Sequence, residues 1–239
     1  MILGFVSDAH GCVEALDKAL DVLARRGAEQ VFHLGDSIGY FPGWAAADRL
    51  RDLKIPSLLG NHEQMLAEGT TDPDKDRILG LELTNGMATP EQLRWASTLP
   101  SSLTIGSDSA PILLVHGSPS DPINGYVYPD TPLDGLDPGN AMAVFMGHTH
   151  HPCIRESGGV LFVNVGSCAL PRDEKRLGCV CLWDTKARTA RLERFGIGRE
   201  ARRAAERCRV HGQILAKIST MPDSAHHALQ ASGLQGEKP

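Results

Sequence analysis

Five short apolar runs in this chain each lead into residue types that bind metal ions. Ile2–Val6 leads into Asp8-Ala9-His10-Gly11, Val31–Leu34 into Gly35-Asp36, and Ile55–Leu59 into Gly60-Asn61-His62-Glu63. Ile112–Val115 leads into His116-Gly117, and Ala143–Met146 into Gly147-His148-Thr149-His150. Runs of four or five apolar residues followed by polar or glycine-rich segments read as buried strands. Strands that end on one side of a sheet bring residues far apart in sequence into a single cleft. The pattern therefore restricts the chain to a sheet-based α/β fold with polar ligands gathered along one edge.

Elements alternate through the first half. Val13, Leu16, Leu20 and Leu23 recur at helical spacing across Cys12–Arg26, and Gly27 ends that element. A second helix is expected around Trp44–Leu53, and residues 62–99 read as helical. Thr89-Pro90-Glu91-Gln92 is a helix start, with Thr89 as N-cap, proline at the first helical position and Gln92 placed to reach back. In the second half, Val160–Val165, Gly178–Trp183 and Ala190–Phe195 follow one another with short turns, which predicts antiparallel pairing. The fold class expected is α/β, a four-layer α/β/β/α sandwich of two mixed sheets flanked by helices. One domain is expected over residues 1–198. A C-terminal helix follows from Arg199 to about Ile218, and then a polar tail whose end, Gly233–Pro239, is expected to be disordered.

Composition narrows the function classes. With 239 residues the chain has enough apolar content for a core, and its net charge of −5 selects neither nucleic acid nor membrane. No apolar run approaches the roughly 18 residues that span a bilayer. The segment Met1–Asp8 reads as a strand and not as a secretory signal. The six cysteines show no CxxC spacing, so a cytoplasmic location is the reading adopted, with Cys179 and Cys181 as core thiols.

Two aspartates, four histidines and one asparagine at strand ends are the mixed ligand set that a pair of divalent ions requires. Asp36 is the natural bridging carboxylate. Such a pair clamps a phosphoryl group and activates water, which is chemistry suited to phosphate-ester hydrolysis. The segments, in this order, resemble the calcineurin-like metallophosphoesterase family, in particular its small single-domain bacterial and archaeal branch. The signature of that family runs Asp-x-His, Gly-Asp, Gly-Asn-His-Asp/Glu, His and Gly-His-x-His. The later Val163-Asn164-Val165-Gly166-Ser167, with Pro171-Arg172-Asp173 behind it, is similar to the family's closing segment.

The resemblance implies one metal held by Asp8, His10, Asp36 and His150, and a second held by Asp36, Asn61, His116 and His148. It implies that a hydroxide bridging the ions attacks phosphorus, that His62 protonates the leaving group or stabilises the charge of the transition state, and that Glu63 orients His62. Imidazole-rich ligands suit Mn, Fe, Zn, Co or Ni, with Mn or Fe preferred here. The expected substrate is a small phosphomonoester or phosphodiester, which includes nucleotides. A nuclease and a serine/threonine protein phosphatase are the alternatives. The protein phosphatases carry an arginine after the second motif, whereas this chain reads Gly35-Asp36-Ser37-Ile38-Gly39-Tyr40. Cys12 also stands where relatives often have asparagine. A non-catalytic interaction module of the same fold would be expected to lack a ligand or His62, and this chain has them all.

Residues outside the motif are read more plainly. Residues 117–140 contain five prolines and form a long loop in which Tyr126 and Tyr128 are expected to line the substrate pocket, with His151 as a further contact. His33 is a packed core histidine, and His226-His227 are solvated tail residues. The stretch Lys186–Arg209 holds nine Lys or Arg against three Glu. It would suit a nucleic-acid-binding helix, but a solvated face is the reading adopted.

Overall fold

β1 (Ile2–Val6) is covered on both faces, and its side chains alternate between two apolar clusters as a strand's period of two requires. Leu3 and Phe5 enter the cluster between two sheets, while Val6 faces a cluster built with α1 (Val13–Arg25). This computed structural model describes residues 1–230, so the expectation for Gly233–Pro239 lies outside the described residues. After β2 (Gln30–His33), the next five helices all bring apolar side chains to one cluster: α2 (Ala45–Asp52), α3 (Asn61–Glu68), α4 (Pro73–Leu79), α5 (Leu81–Gly86) and α6 (Pro90–Ser97). Ala47, Leu66, Leu81 and Ala96 gather there with Ile38 and Trp44, and Leu79 of α4 packs against them. α6 starts with the reciprocal Thr89–Gln92 capping box that its sequence predicts.

The later strands are β3 (Ser102–Ser107), β4 (Ala110–Val115), β5 (Ala143–Met146), β6 (Cys153–Ser157), β7 (Val160–Asn164), β8 (Gly178–Asp184) and β9 (Thr189–Phe195). They are followed by α7 (Gly198–Arg207), α8 (Gly212–Ile218) and β10 (His226–Gln230). One sheet runs β10-β9-β8-β1-β2 and the other β3-β4-β5-β7-β6. Both are mixed: β1–β2, β4–β5 and β5–β7 are parallel, and the remaining pairs antiparallel. Gly158 and Gly159 both adopt positive φ, the geometry a two-residue turn needs between β6 and β7.

The layer between the sheets is aromatic at its centre. Phe5 stacks on Phe145 at 4.0 Å, and Phe145 meets Trp183 edge-on. Cys179 and Cys181 lie in this layer as buried free thiols. The outer face of the second sheet receives Val127 and Leu133 from the long 117–140 loop, so that loop contributes to the core as well as to the site. Among the described residues no helix is long and apolar enough to cross a membrane.

Several elements differ from their sequence reading. Ile55–Leu59 forms only an isolated parallel bridge, Ser57 to His33, because Pro56 has no N–H and the chain turns off to Pro100 at Leu59. Residues 199–218 form two helices, separated by Cys208–His211. At about 100° per residue, a continuous helix would put Ile214 about 80° from Ala204 and about 140° from Ala201 around its axis. The break brings both sets into one core. His33 is buried and held neutral, its imidazole pushed down to about 3 by burial.

His226 is half exposed but belongs to a strand. Its Nε2 lies 2.5 Å from buried Glu193, which Arg26 also approaches at 3.1 Å. On α7, Arg207 pairs with Glu14, Arg202 with Asp223, and Glu200 with Lys18. These pairings use charge that a nucleic-acid face would otherwise present.

Candidate metal centre

The ligand loops follow the C-terminal ends of β1, β2, β4 and β5, and the backbone there is held in unusual conformations. Asp8, His10, Asp36, Tyr40, His148 and His150 all adopt φ between 50° and 66°. Positive φ is costly for residues with a Cβ and is sustained where surrounding structure over-determines it. Here the loops brace one another. His10 N–H donates to Asp36 O at 2.9 Å and Gly11 N–H to Ser37 O at 2.8 Å. Ser167 Oγ donates to Asp8 O at 2.8 Å, and Asn164 Nδ2 donates to Gly147 O at 2.7 Å. The glycines of the motifs leave room for side chains. A Cβ at Gly60 would sit 2.1 Å from Asp36 Oδ1, and one at Gly147 would sit 2.5 Å from Asp8 Oδ2.

Three buried groups could each hold a metal ion, with ligand atoms within 4.8 Å of one another: Asp8, His10 and His150; His10, Asp36 and His62; and Asp36, His116 and His148. Asp36 Oδ2 lies at the hub, 3.4 Å from His116 Nε2, 3.7 Å from His62 Nε2 and 3.9 Å from His10 Nε2. Asn61 Oδ1 lies 3.1 Å from His116 Nε2. Asp8 Oδ1 lies 3.1 Å from His150 Nε2 and 3.6 Å from His10 Nε2. The seven expected ligands are thus gathered in one place, with His62 among them.

The donor set fits a cation. Nδ1 of His10 faces Ile38 O at 3.2 Å and Nδ1 of His150 faces Leu170 O at 2.5 Å. A carbonyl only accepts, so both rings carry their hydrogen on Nδ1 and leave Nε2 bare. Those two bare nitrogens then face each other at 2.9 Å, a repulsive contact that a shared positive ion relieves. Burial lowers both imidazoles, which keeps them neutral and ready to ligate. Asp8 Oδ1 and His148 Nε2 are buried with no hydrogen-bond partner.

Electrostatics agree. Burial would raise the Asp8 carboxyl, but His150 and His10 hold it well below the usual range. Burial likewise opposes ionisation of Asp36, and His116 and His62 outweigh it. Burial also opposes the His116 cation, yet Asp36 raises that ring to about 10. A site that pulls a proton onto an imidazole this strongly is an electrostatic trap for positive charge. His62 and His148 are pushed down to about 4, chiefly by burial.

Glu63 is used differently from the sequence reading. It makes no hydrogen bond with His62. Its Oε1 accepts from Ser37 N (2.7 Å), Ser37 Oγ (2.7 Å) and Ile38 N (3.3 Å), and Oε2 accepts from Asp36 N and Gly60 N, both at 3.1 Å. It therefore fixes the loop that presents Asp36 and caps α3, because a buried carboxylate seeks the unpaired N–H groups of a nearby turn and helix start. Asp36 Oδ1 in turn accepts from His62 N at 2.9 Å.

A cleft of about 290 Å³ opens over Asp36, Asn61, His62, His148 and His150. Tyr126 lines it, its ring 4.1 Å from that of His148. Tyr128 stacks on Tyr126 at 5.8 Å and His151 stands edge-on to Tyr128 at 5.6 Å, so these two lie outward of the lining. Sequence reasoning assigned no role to Tyr40, Lys75, Asn124 or Arg172, which also line the cleft. For Arg172 the available signal was its place directly behind the closing segment.

Residues 1–188 match the calcineurin-like phosphoesterase superfamily domain, and the chain belongs to that family. It is 28% identical over 180 residues to an uncharacterized protein of Methanocaldococcus jannaschii, covering 74% of this chain and 73% of that one. It is 25% identical over 174 residues to the phosphodiesterase YfcE of Escherichia coli, covering 72% of this chain and 82% of that one. A metallophosphoesterase from Sphaerobacter thermophilus shares the fold with a TM-score of 0.71 at 23% identity, covering 92% of this chain and 99% of that chain.

Proposed function

We propose that this protein is a metal-dependent phosphoesterase that hydrolyses a small phosphomonoester or phosphodiester at a two-metal centre. The observation that carries the proposal is the pair of bare His10 and His150 nitrogens, 2.9 Å apart beside Asp8, with Asp36 at the hub of the remaining imidazoles. Asp8, His10, Asp36 and His150 would hold one ion, and Asp36, Asn61, His116 and His148 the other. Ions bound there would supply Lewis acidity toward the phosphoryl oxygens and water activated at neutral pH. Mn or Fe suits this imidazole-rich set.

The protein's own groups do the rest. His62, kept neutral by burial, would offer a hydrogen bond from its ring N–H to the departing oxygen and so stabilise the charge that develops there. Tyr126 offers an exposed aromatic face beside His148, on which a base or an aryl leaving group stacks. Tyr128 and His151 extend that face outward. The likeness to a phosphodiesterase supports a diester as one substrate class.

Purified protein loaded with Mn should hydrolyse p-nitrophenyl phosphate or its bis ester, and EDTA should abolish the activity until Mn is restored. Absence of turnover with every divalent metal tried, from a protein that is folded and loaded, would contradict the proposal.

A further inference from the structure

Resting on the phosphoesterase reading, we propose that Arg172, steered by Tyr40, binds the phosphoryl oxygens of the substrate.

Four observations meet on this residue. Arg172 lines the cleft together with Asn61, His62, His148 and His150. It is exposed and, among the described residues, has no carboxylate within ion-pairing distance, whereas Arg26, Arg194 and Arg207 all have one. The adjacent carboxylate, Asp173, is taken in a two-pronged pair by Arg194 at 2.8 and 2.9 Å, so it does not compete for the Arg172 guanidinium. Finally, Arg172 Nη2 donates to Tyr40 Oη at 2.9 Å. A phenol that accepts from a guanidinium keeps its own hydrogen to donate, so the pair presents several donors and no competing acceptor charge.

Both members are built in. Tyr40 adopts φ 56° and packs its ring against His10 at 4.8 Å and His62 at 5.1 Å, which fixes its hydroxyl relative to the ligands. Arg172 N donates to His150 O at 3.3 Å, and the chain before it is pinned where Ser167 Oγ accepts from Ala169 N and Leu170 N. A guanidinium fork held in this way matches the oxygens of a phosphoryl group. A phosphomonoester dianion carries one more charged oxygen than a diester. Loss of the guanidinium should therefore weigh more heavily on monoesters.

The test compares Mn-loaded wild type with Arg172→Ala, Arg172→Lys and Tyr40→Phe. It uses p-nitrophenyl phosphate, its bis ester, and calorimetric binding of inorganic phosphate. Arg172→Ala should lower kcat/KM for the monoester about a hundredfold and for the diester about tenfold or less, the worth of a charge-assisted hydrogen-bond pair. Phosphate binding should weaken at least about tenfold, Arg172→Lys should recover part of each loss, and Tyr40→Phe should cost about fivefold. Metal content and Tm should stay at wild-type values, because the side chain is exposed. Unchanged phosphate affinity and an unchanged monoester-to-diester ratio would overturn the inference. So would equal losses on both esters accompanied by lost metal. If wild type hydrolyses neither ester, the broader reading fails, and phosphate binding still decides the role of Arg172.

Discussion

With the proposed two-metal centre, replacing Asp36 by asparagine should reduce turnover on the order of a thousandfold or more and sharply lower the metal content. A thousandfold corresponds to about 4 kcal/mol of transition-state stabilisation, the scale expected when a carboxylate shared by both ions is neutralised. The substitution is nearly isosteric. Its carbonyl can still accept from His62 N, as Asp36 Oδ1 does at 2.9 Å, so the start of α3 should survive. What changes is the other atom. An amide group in place of Oδ2 would turn a donor toward the Nε2 atoms of His116, His62 and His10, where a charged acceptor now stands. Metal analysis by plasma mass spectrometry, circular dichroism and ester hydrolysis would read the three consequences separately. A folded Asp36→Asn protein that keeps both ions and wild-type turnover would exclude Asp36 as the bridging ligand.

Glu63→Ala should be the most destabilising substitution around the site. The carboxylate is fully buried and accepts from four backbone N–H groups, those of Asp36, Ser37, Ile38 and Gly60. Alanine would strand these donors in a region that water does not reach, at a cost of at least about 3 kcal/mol. For a domain of this size that loss lowers Tm by roughly 6–12 °C. Glu63→Gln should fall between, since one carbonyl oxygen remains for the Ser37 side while its amide group opposes the Asp36 and Gly60 donors. Activity should fall in both variants because the loop that presents Asp36 is loosened. A Glu63→Ala protein that melts within about 2 °C of wild type would show that these hydrogen bonds contribute little.

The contrast between Asp36 and Glu63 shows where sequence reasoning succeeds and where it stops. Asp36 was legible because it follows an apolar run and a glycine, and the glycine–ligand pattern recurs at Asn61 and His148. The role of Glu63 was not. Its place next to His62 suggested a side-chain partner, but on a helix neighbouring residues point about 100° apart, and the carboxylate turns to the N–H groups of the preceding loop. Arg172 reaches the cleft from a position 136 residues beyond Asp36, and proximity of that kind comes from sheet order.

Strands show the same division. The buried runs at β1, β4, β5 and β8 are strongly apolar and were read as strands. β10, with the sequence His226-His227-Ala228-Leu229-Gln230, carries no such pattern. It pairs along β9 while His226 is held to buried Glu193, a long-range contact invisible to local periodicity. β3 is a mostly exposed edge strand whose pairing with β4 supplies the order that its composition does not.

The most direct test of the account is anomalous X-ray scattering from crystals of the protein grown with Mn. Two peaks are expected, one bounded by Asp8, His10, Asp36 and His150 and the other by Asp36, Asn61, His116 and His148, with Asp36 touching both. A single peak away from Asp36, or none in a crystal soaked to saturation, would contradict it.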